Sequence, residues 1–484
     1  MNETKEKNVK NVLIISSEGV PFAKSGGLGD VIGALPKELT AQGVNVRVIL
    51  PLYKTVKDTY GDQLKFIESY AVPLSWRMEH CGLFETEYEG VTFYFIDNEK
   101  YYRRDSFYGY GDDAERFAFF SKAVLESIPK MKGFEPEILH CNDWQTAMIP
   151  VYLKTVFRGS EYYSKFRTVF TIHNIEYQGR YGMELLGDLL GIDQAYAGLL
   201  RLDGDLNMMK GAVVACDKLT TVSPTYAQEI LYPFYGKGMQ DIIRENEYKL
   251  VGILNGIDVG LFNPETDKNL AARYTAETVD RKVQNKMALQ EALGLEVNAD
   301  IPMIGMVGRL VEHKGIGMVR EAYDAIIAAG AQIVLLGTGS KSYEDFFKSK
   351  AWAYQGKAAT VTAFSGPLAN KIYAGSDLFL MPSVSEPCGL AQMISLRYGT
   401  IPIVRETGGL ADSVAPFNPE TGEGVGITFA SINAWDMLDA VHRGIKLFHD
   451  KDQWNKLVQN AMAADNSWSK STGEYIDMYN SIWF

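Results

Sequence analysis

The segment Asn11-Val-Leu-Ile-Ile, followed closely by Lys24-Ser-Gly-Gly-Leu-Gly-Asp, carries the strongest information about the fold. The apolar run is typical of a short buried strand, and a helical pattern extends from residue 30 to residue 42. A second apolar run, Val44–Leu50, follows. Strand, loop, helix and strand in this order predict two parallel strands joined by a crossover helix. Pro36 lies inside the predicted helix, and we expect it to kink or restart that helix.

Apolar runs of the same kind recur along the chain, each ending in small or polar residues. They are Ile138–His140, Thr168–His173, Leu219–Ser223 and Leu250–Leu254 in the first half, and Pro302–Val307, Gln332–Gly337, Ala359–Phe364, Leu378–Pro382 and Ile401–Val404 in the second, where a helix is predicted near Gly317–Ala329. The repetition predicts an α/β protein of two domains, because 484 residues exceed the roughly 250–300 that one hydrophobic core holds. In open α/β sheets, ligands bind at the carboxyl ends of the strands.

The domain boundaries are predicted from the same pattern. We place the first domain at residues 1–262 and the second at residues 263–460, with a linker over Asn263–Asn285, which is rich in Thr, Asp and Glu. Residues 461–484 are predicted to form a terminal helix that packs back on the first domain. A cleft between two domains is a common ligand site, and we expect one here.

Composition and charge argue against several classes of protein. The net charge is −12, opposite in sign to that of a protein that grips nucleic acid or an anionic membrane. The four cysteines are far apart and form no CxxC pair, which argues against a disulfide framework or a zinc site. The polar start, MNETKEKNVK, lacks the apolar segment of a signal peptide, and no run reaches the ~18 apolar residues of a membrane span. We therefore expect a cytoplasmic protein without nucleic-acid or membrane partners.

Two loops carry adjacent glycines between a strand and a helix. In the first, Gly26 and Gly27 let backbone N–H groups approach a ligand closely, and Lys24 adds a positive charge. This arrangement suits a phosphate or a sugar hydroxyl, although a tight structural turn is an equal alternative. The loop is neither a Walker A loop nor a GxGxxG loop. In the second loop, Thr407 precedes Gly408, and its hydroxyl and backbone donors suit a phosphate.

Charged and polar residues follow several other predicted strands. Arg309 and Lys314 lie five residues apart and are suited to converge on a diphosphate, although a solvated basic loop is the simpler interpretation. Glu386, at a turn between a strand and a helix, is suited to bind sugar hydroxyls or to stabilise positive charge; its alternative role is that of a helix-terminal acid. His173 and Asn255 also lie at strand ends, where a structural role is the alternative.

The combination and order of these motifs resemble those of bacterial glycogen synthases and plant starch synthases. The resemblance rests on Lys24-Ser-Gly-Gly-Leu, His173-Asn, Asn255-Gly-Ile-Asp, Arg309 with Lys314, Glu386-Pro-Cys-Gly-Leu and Thr407-Gly-Gly-Leu, and it covers nearly the whole chain. This family consists of retaining glucosyltransferases with the GT-B architecture, two facing Rossmann-like domains with a central interdomain cleft. By resemblance, the chain is expected to transfer glucose from ADP-glucose to glycogen or a malto-oligosaccharide, with retention of configuration.

The resemblance also implies roles for individual residues. Arg309 and Lys314 are expected to hold the donor diphosphate, and Glu386 and His173 to contact the transferred glucose near the reaction. The other expected donor contacts are Lys24, Gly26, Gly27, Asn255, Phe364, which is expected to stack on the base, Cys388, Gly389, Leu390, Thr407 and Gly408. Asp143 and Tyr108 are expected on the acceptor side. No metal and no other cofactor is expected, and a homo-oligomer remains open.

Three alternatives remain at the level of sequence. The first is a glycosyltransferase of the same fold that uses UDP-glucose and a small acceptor; residue chemistry does not separate ADP from UDP. The second is a dinucleotide-dependent oxidoreductase, supported only by Gly337-Thr-Gly-Ser after a strand. The third is an inactive carbohydrate-binding regulator, against which five intact residues argue: Lys24, His173, Arg309, Lys314 and Glu386. For the retaining reaction we expect a front-face route, in which the departing phosphate takes the acceptor proton.

Overall fold

The computed structural model describes residues 9–483, and within them the chain divides into two units. The first unit comprises residues 9–253 and 468–483, and the second comprises Leu254–Ser467. Most of the N-terminal stretch that argued against a signal peptide, residues 1–8, lies outside the described residues, as does Phe484. Within the described part, no helix is long and apolar enough to cross a membrane.

The first unit is built on a nine-stranded sheet. In chain order its strands, with those of a small separate sheet, are β1 (Asn11–Ile15), β2 (Asn45–Pro51), β3 (Lys65–Leu74), β4 (Arg77–Tyr88), β5 (Val91–Asp97), β6 (Ile138–Asn142), β7 (Arg167–Ile172), β8 (Arg180–Tyr181), β9 (Arg201–Leu202), β10 (Asp205–Asn207), β11 (Lys218–Thr221) and β12 (Leu250–Gly252). The large sheet has the order β12-β11-β7-β6-β1-β2-β5-β4-β3, and β8, β10 and β9 form the small antiparallel sheet. In the large sheet β4 runs antiparallel to β3 and to β5, and the other pairs of neighbouring strands are parallel.

The central strands are buried on both faces, as their continuous apolar sequences predicted. In β1, Val12, Leu13, Ile14 and Ile15 are all fully buried. Strands of a parallel sheet that is covered on both faces are expected to be apolar throughout, whereas strands with one wet face alternate. The outer strand β3 does alternate between exposed and less exposed positions over much of its length, which is why no apolar run indicated it.

Helices connect the strands of the first unit. They are α1 (Gly27–Ala41), α2 (Lys54–Tyr60), α3 (Glu99–Tyr102), α4 (Asp113–Ser127), α5 (Met148–Lys154), α6 (Glu161–Ser164), α7 (Leu185–Asp188), α8 (Ala197–Leu200), α9 (Met208–Ala215), α10 (Pro224–Glu229), α11 (Pro233–Gly236) and α12 (Gln240–Glu245). Helix α1 begins three residues earlier than predicted and is not restarted at Pro36. Pro36 is buried together with Leu35 and Leu39 on the packed face, and burial of that face offsets the one backbone hydrogen bond that proline removes.

The second unit contains one six-stranded sheet in which every strand pair is parallel. Its strands are β13 (Met303–Val307), β14 (Gln332–Leu336), β15 (Ala358–Val361), β16 (Leu378–Met381), β17 (Ile401–Arg405) and β18 (Ile427–Phe429). Its helices are α13 (Lys282–Ala292), α14 (Ile316–Ala328), α15 (Lys341–Ala353), α16 (Gly366–Gly375), α17 (Ala391–Arg397), α18 (Gly408–Ser413), α19 (Ala434–His449) and α20 (Lys451–Ala463). The strand order β15-β14-β13-β16-β17-β18 is that of a Rossmann sheet.

The segment expected as a linker, Asn263–Asn285, is instead packed within the second unit. The buried Asp267 carboxylate accepts hydrogen bonds from Asn370 Nδ2 at 2.8 Å and from Tyr398 OH at 2.7 Å. The buried Tyr274 donates its hydroxyl to the Tyr398 carbonyl oxygen at 2.8 Å. The polar composition that indicated a linker therefore supplies side chains that satisfy buried groups.

The chain passes from the first unit to the second after Ile253, nine residues before the expected boundary. Ile257 already pairs with Ser467 in the second unit, and its N–H donates to the Asn466 carbonyl at 2.8 Å. The last helix, α21 (Trp468–Asn480), belongs to the first unit. Its Tyr479 hydroxyl lies 2.7 Å from Nδ1 of the buried His140 on β6, which anchors the helix on the sheet.

Candidate functional site

In each unit the candidate residues follow the strands at which the chain reverses its direction across the sheet. In the first unit, β1 lies between β2 and β6, and the residues that follow β1 and β6 include Glu18, Lys24 and Asp143. In the second unit, β13 lies between β14 and β16, and Lys314 and Glu386 follow β13 and β16. Ligands of open α/β sheets bind at such switch points, so the topology brings the sequence motifs to the expected position in each unit.

The loop after β1 is organised by a residue that the sequence analysis missed. The Glu18 carboxylate is 4% exposed and accepts hydrogen bonds from Ser25 N at 2.5 Å, Ser25 Oγ at 2.6 Å and Gly26 N at 3.1 Å. The Tyr108 hydroxyl also donates to Glu18, at 2.7 Å. A buried carboxylate costs free energy unless hydrogen bonds satisfy it, and here the loop's own N–H groups do so. Glu18 thus links the glycine loop to Tyr108, two features that the sequence had placed apart.

The glycines of this loop are not required by packing. A Cβ atom on Gly26 or Gly27 would meet no atom within 4 Å, and neither residue has a positive φ. The space above them is therefore open to a ligand that approaches the backbone closely. Lys24 is exposed and forms an ion pair with Asp30 at 2.6 Å, and α1 begins at Gly27, directly behind the loop.

His173 is held in one orientation by Asn142, the last residue of β6. Asn142 Nδ2 donates to the Ile15 and His140 carbonyls, so its Oδ1 faces His173 Nε2 at 2.9 Å and accepts from it. Burial lowers the pKa of His173 to about 3, so the ring is neutral. With the proton on Nε2, Nδ1 is an acceptor that suits a sugar hydroxyl.

Asp143 has an unusual backbone and an unusual carboxyl group. Its φ is 56° and its ψ is 178°, a backbone conformation that residues other than glycine rarely adopt. The carboxylate accepts the His173 N–H at 2.8 Å, and burial raises the pKa of Asp143 to about 7. Strain and a raised pKa in one residue at a strand end are typical of functional sites.

In the second unit, Lys314 and Glu386 form a direct ion pair. Lys314 Nζ lies 2.5 Å from Glu386 Oε2, which also accepts from Ser383 Oγ at 2.9 Å. The Glu386 side chain is 6% exposed and that of Lys314 is 26% exposed. The pair therefore joins a buried carboxylate to a cation that solvent, or a ligand, can still reach.

Three loops of the second unit converge around this pair through backbone contacts. His313 O accepts from Val384 N at 2.8 Å, and Gly409 N donates to Glu386 O at 3.1 Å. A Cβ on Gly408 would lie 2.0 Å from Glu386 O, and one on Gly315 would lie 1.9 Å from an adjoining carbonyl. Glycine is required at both positions for the loops to approach this closely, and both have a positive φ. The glycines of the second loop are thus needed for packing, in contrast to Gly26 and Gly27.

Asn255 and Cys388 lie together beside the same loops. The Asn255 N–H points to the buried Cys388 sulfur, and burial raises the pKa of that thiol to about 12. Asn255 itself is 5% exposed, and among the described residues its Oδ1 has no hydrogen-bond partner. A buried amide oxygen without a partner is costly and is explained if a ligand hydroxyl supplies the hydrogen bond. Gly389, Leu390 and Thr407 belong to the converging loops.

Arg309 and Phe364 lie in solvent. Arg309 is exposed, and within the described residues no hydrogen bond or ion pair engages its guanidinium. Phe364, after the outermost strand β15, is 88% exposed and lies outside the three converging loops. Both side chains are therefore available to a ligand, but the structure does not join them to the Lys314–Glu386 pair.

The segment that suggested an oxidoreductase has a packing role. A Cβ on Gly337 would lie 1.9 Å from Gly308 O, and one on Gly339 would lie 2.3 Å from Leu310 O. Leu310 N donates to the Thr338 carbonyl at 2.9 Å. These glycines allow two backbone segments to touch, which accounts for them without a dinucleotide. Among the described residues, no group of three or more His, Cys, Asp or Glu side chains is placed to hold a metal ion.

Comparison with known proteins identifies the family of the chain. The family model of the starch synthase catalytic domain matches residues 11–245, and that of glycosyl transferases group 1 matches residues 294–462. A glycogen synthase from Desulforamulus reducens is 48% identical over 475 residues, covering 98% of this chain and 99% of that protein. A glycogen synthase from Clostridium novyi is 48% identical over 474 residues, with 98% and 99% covered. The chain belongs to the glycogen synthase family.

As a member of this family, the chain is a glycosyltransferase. The solved catalytic domain of starch synthase IV from Arabidopsis thaliana, bound to ADP and acarbose, matches it with a TM-score of 0.89 at 34% identity, over 98% of this chain and 99% of that chain. The expected GT-B fold class of two Rossmann-like α/β domains is confirmed. A sucrose-phosphate synthase from Thermosynechococcus elongatus matches with a TM-score of 0.62 at 17% identity over 98% of this chain and 99% of that chain, a likeness of fold alone.

Proposed function

We propose that this protein elongates glycogen, transferring glucose from ADP-glucose to the non-reducing end of an α-1,4-glucan with retention of configuration. The observation that carries the proposal is the ion pair between Lys314 and Glu386, 2.5 Å apart at the switch point of the second sheet. It combines a cation suited to a phosphate with a carboxylate suited to sugar hydroxyls. A nucleotide sugar presents those two groups side by side. The relatives' name and the ADP in the starch synthase structure support the choice of donor.

The donor is assigned to the second unit. The bond that breaks joins C1 of glucose to a diphosphate oxygen, so negative charge grows on the departing phosphate while positive charge grows on the sugar. Lys314 and Arg309 stabilise the phosphate more strongly as that charge develops, and such differential binding lowers the barrier. Glu386 and the unpaired Asn255 Oδ1 accept hydrogen bonds from the glucose hydroxyls. Phe364 offers an exposed ring on which the base stacks.

The acceptor is assigned to the first unit, with Asp143 and Tyr108 on its side. His173 Nδ1 accepts a hydrogen bond from the transferred sugar, and Gly26 and Gly27 expose backbone at the loop that carries Lys24. The acceptor hydroxyl attacks C1 on the face from which the phosphate leaves, which retains the anomeric configuration. The departing phosphate takes the hydroxyl proton, so this route uses no protein nucleophile.

Transfer of labelled glucose tests the proposal. ADP-glucose and UDP-glucose are supplied in separate reactions with glycogen and no added metal, and polymer-bound label is measured before and after α-amylase digestion. We expect label in amylase-sensitive polymer from ADP-glucose. Label from UDP-glucose alone would contradict the donor, and label on small sugars but not on glycogen would favour the small-acceptor alternative. No transfer from either donor would refute the proposed function.

A further inference from the structure

Trp76 lies at the tip of a long hairpin in the first unit, and 72% of its surface is exposed. Leu74 on β3 pairs with Arg77 on β4, so Ser75 and Trp76 are the two residues of the turn. Ser75 has a φ of 55°, which a two-residue hairpin turn often requires at this position. A single exposed apolar side chain is common on protein surfaces. What distinguishes Trp76 is how its ring is held.

The Trp76 ring is fixed by hydrogen bonds to the end of α7 and by a stacked arginine. Its Nε1 donates to Asp188 Oδ1 at 2.8 Å. Arg77 donates to Asp188 Oδ2 at 2.9 Å and to the Asp188 carbonyl at 2.6 Å, and its guanidinium carbon lies 4.3 Å from the Trp76 ring centroid. Ser75 Oγ donates to Gly187 O at 2.8 Å. The polar edge and one face of the indole are therefore engaged, and the opposite face is presented to solvent in a fixed orientation.

The hairpin tip projects beyond the carboxyl ends of the parallel strands, the side of the sheet on which the candidate site lies. Strand β5 is parallel to β2 and β1, and it ends at Asp97, which pairs with Gly82 on β4. Strand β4 runs the opposite way and starts at Arg77, five residues before Gly82. At about 3.4 Å per residue, the tip reaches roughly 17 Å beyond the carboxyl end of β5. Asp188, which fixes the ring, follows His173 by fifteen residues in the segment after β7.

We propose that the exposed face of Trp76 is a secondary binding platform for the α-glucan acceptor, separate from the reacting site. The proposal rests on the proposed function and extends it to a second contact with the polymer. A pyranose ring has a flat C–H face that packs on an aromatic ring, and hydroxyl groups at its edge that hydrogen-bond to charged side chains. Arg77 and Asp188 supply such groups beside the ring.

A neutral polymer fits this surface better than other ligands. The protein carries a net charge of −12, and Asp188 forms an ion pair with Arg77, the cation stacked on the ring, which disfavours a polyanion as the ligand. A stable dimer buries about 800 Å² per partner, which one indole on a narrow hairpin does not provide. A polymer held at two points also gains from the high effective concentration of the second contact. A single rigid ring is therefore sufficient for a glucan, because the reacting site supplies the other contact.

Steady-state kinetics with long and short acceptors test the platform. Trp76→Ala is compared with wild type and with Trp352→Ala, a control that removes another tryptophan, 78% exposed on α15. We expect the KM for glycogen to rise about three- to tenfold in Trp76→Ala, the range of one aromatic contact. The kcat, the KM for ADP-glucose and the kinetics with maltotriose are expected to match wild type, because a trisaccharide is too short to reach both sites. Trp352→Ala is expected to match wild type throughout.

Other outcomes overturn the platform. An unchanged KM for glycogen contradicts it, and an equal rise for maltotriose places Trp76 at the reacting site instead. Transfer of label to glycogen by the wild-type protein is measured before any variant is compared. Absence of this transfer would refute the proposed function and not the platform alone.

Two further variants and a size measurement separate stacking from structure. Trp76→Phe keeps an aromatic face and is expected to retain much of the retardation by glycogen in a native gel, whereas Trp76→Ala is expected to be retarded clearly less than wild type. Asp188→Ala frees the ring and is expected to give an intermediate result. Unchanged retardation of Trp76→Ala, or a change in its mass by light scattering, would refute the glucan platform; the latter would indicate contact with a second copy.

Discussion

Lys314 and Glu386, which are 72 residues apart in the chain, form an ion pair of 2.5 Å in the second unit. The resemblance at the level of sequence implies that Lys314 holds the diphosphate and that Glu386 contacts the sugar. Their contact means that the carboxylate orients the amine before any donor binds. Glu386 is 5% exposed, so it also depends on Lys314 for compensation of its charge.

Replacing Lys314 therefore has two expected consequences. Lys314→Ala is expected to lower kcat about 10²-fold or more, the effect of removing one preorganised donor from a developing anion. It also leaves the Glu386 carboxylate buried without its cation, so the free energy of unfolding is expected to fall. Lys314→Arg keeps the charge and serves as the matched control. The rate at saturating ADP-glucose measures kcat, and a urea titration measures the free energy of unfolding. Near-normal turnover of Lys314→Ala would contradict the role of Lys314 in stabilising the departing phosphate.

Glu18 is expected to be required for the conformation of the Lys24 loop. Glu18→Ala removes the acceptor for Ser25 N and Gly26 N, and charge-assisted hydrogen bonds of this kind contribute about 1.5–3 kcal/mol. We expect kcat/KM for ADP-glucose to fall about 10- to 100-fold if that contribution is lost in the transition state. Tyr108→Phe removes one hydroxyl from the same carboxylate and is expected to have a smaller effect. Equal losses in both variants would show that Tyr108, and not the loop, is the important partner.

The raised pKa of Asp143 predicts a specific dependence of stability on pH. The folded carboxyl titrates at about 7 and the unfolded one at about 3.9, so between these values the folded state binds the proton more tightly. Its contribution to stability is therefore greatest at low pH and decreases as the pH rises towards 7. Asp143→Asn does not titrate and keeps an acceptor for the His173 N–H. The Tm of the variant minus that of wild type is expected to be more positive at pH 8 than at pH 5; a difference independent of pH would contradict the raised pKa.

The partnerless Asn255 Oδ1 predicts that function, and not stability, accounts for this residue. Asn255→Leu replaces a buried polar group that lacks a hydrogen bond with an apolar one of similar size, so the Tm of the ligand-free protein is expected to stay equal or rise. The KM for ADP-glucose is expected to increase, because a hydroxyl of the donor loses its acceptor. A matched control is Asn285→Leu, since Asn285 bonds the Ala272 backbone through both amide atoms and its loss is expected to lower the Tm. A lower Tm for Asn255→Leu with an unchanged KM would assign Asn255 to the fold.

Much of the fold was predictable because parallel strands buried on both faces leave long apolar runs in the sequence. All nine runs in residues 138–404 correspond to strands, and the helix near Gly317–Ala329 is α14. The extension formed by β3 and β4 left no such signal, because those strands lie at the sheet edge and carry many polar side chains. The Asn263–Asn285 segment was misread as a linker for a related reason: its polar residues bond to buried partners that are distant in sequence.

Strand periodicity and length by themselves determined the α/β class and the presence of two domains, and the resemblance of the ordered motifs to a known family indicated the family and most candidate site residues. These are properties of local sequence, since a few adjacent residues are enough to specify a strand end or a glycine turn. Only the tertiary structure decided that Lys314 contacts Glu386, that Glu18 holds the Lys24 loop and that Asp188 fixes Trp76. The first and third of these contacts join residues from different elements, and the second closes one loop on itself. The energies of all three depend on burial and distance, which the folded chain alone sets.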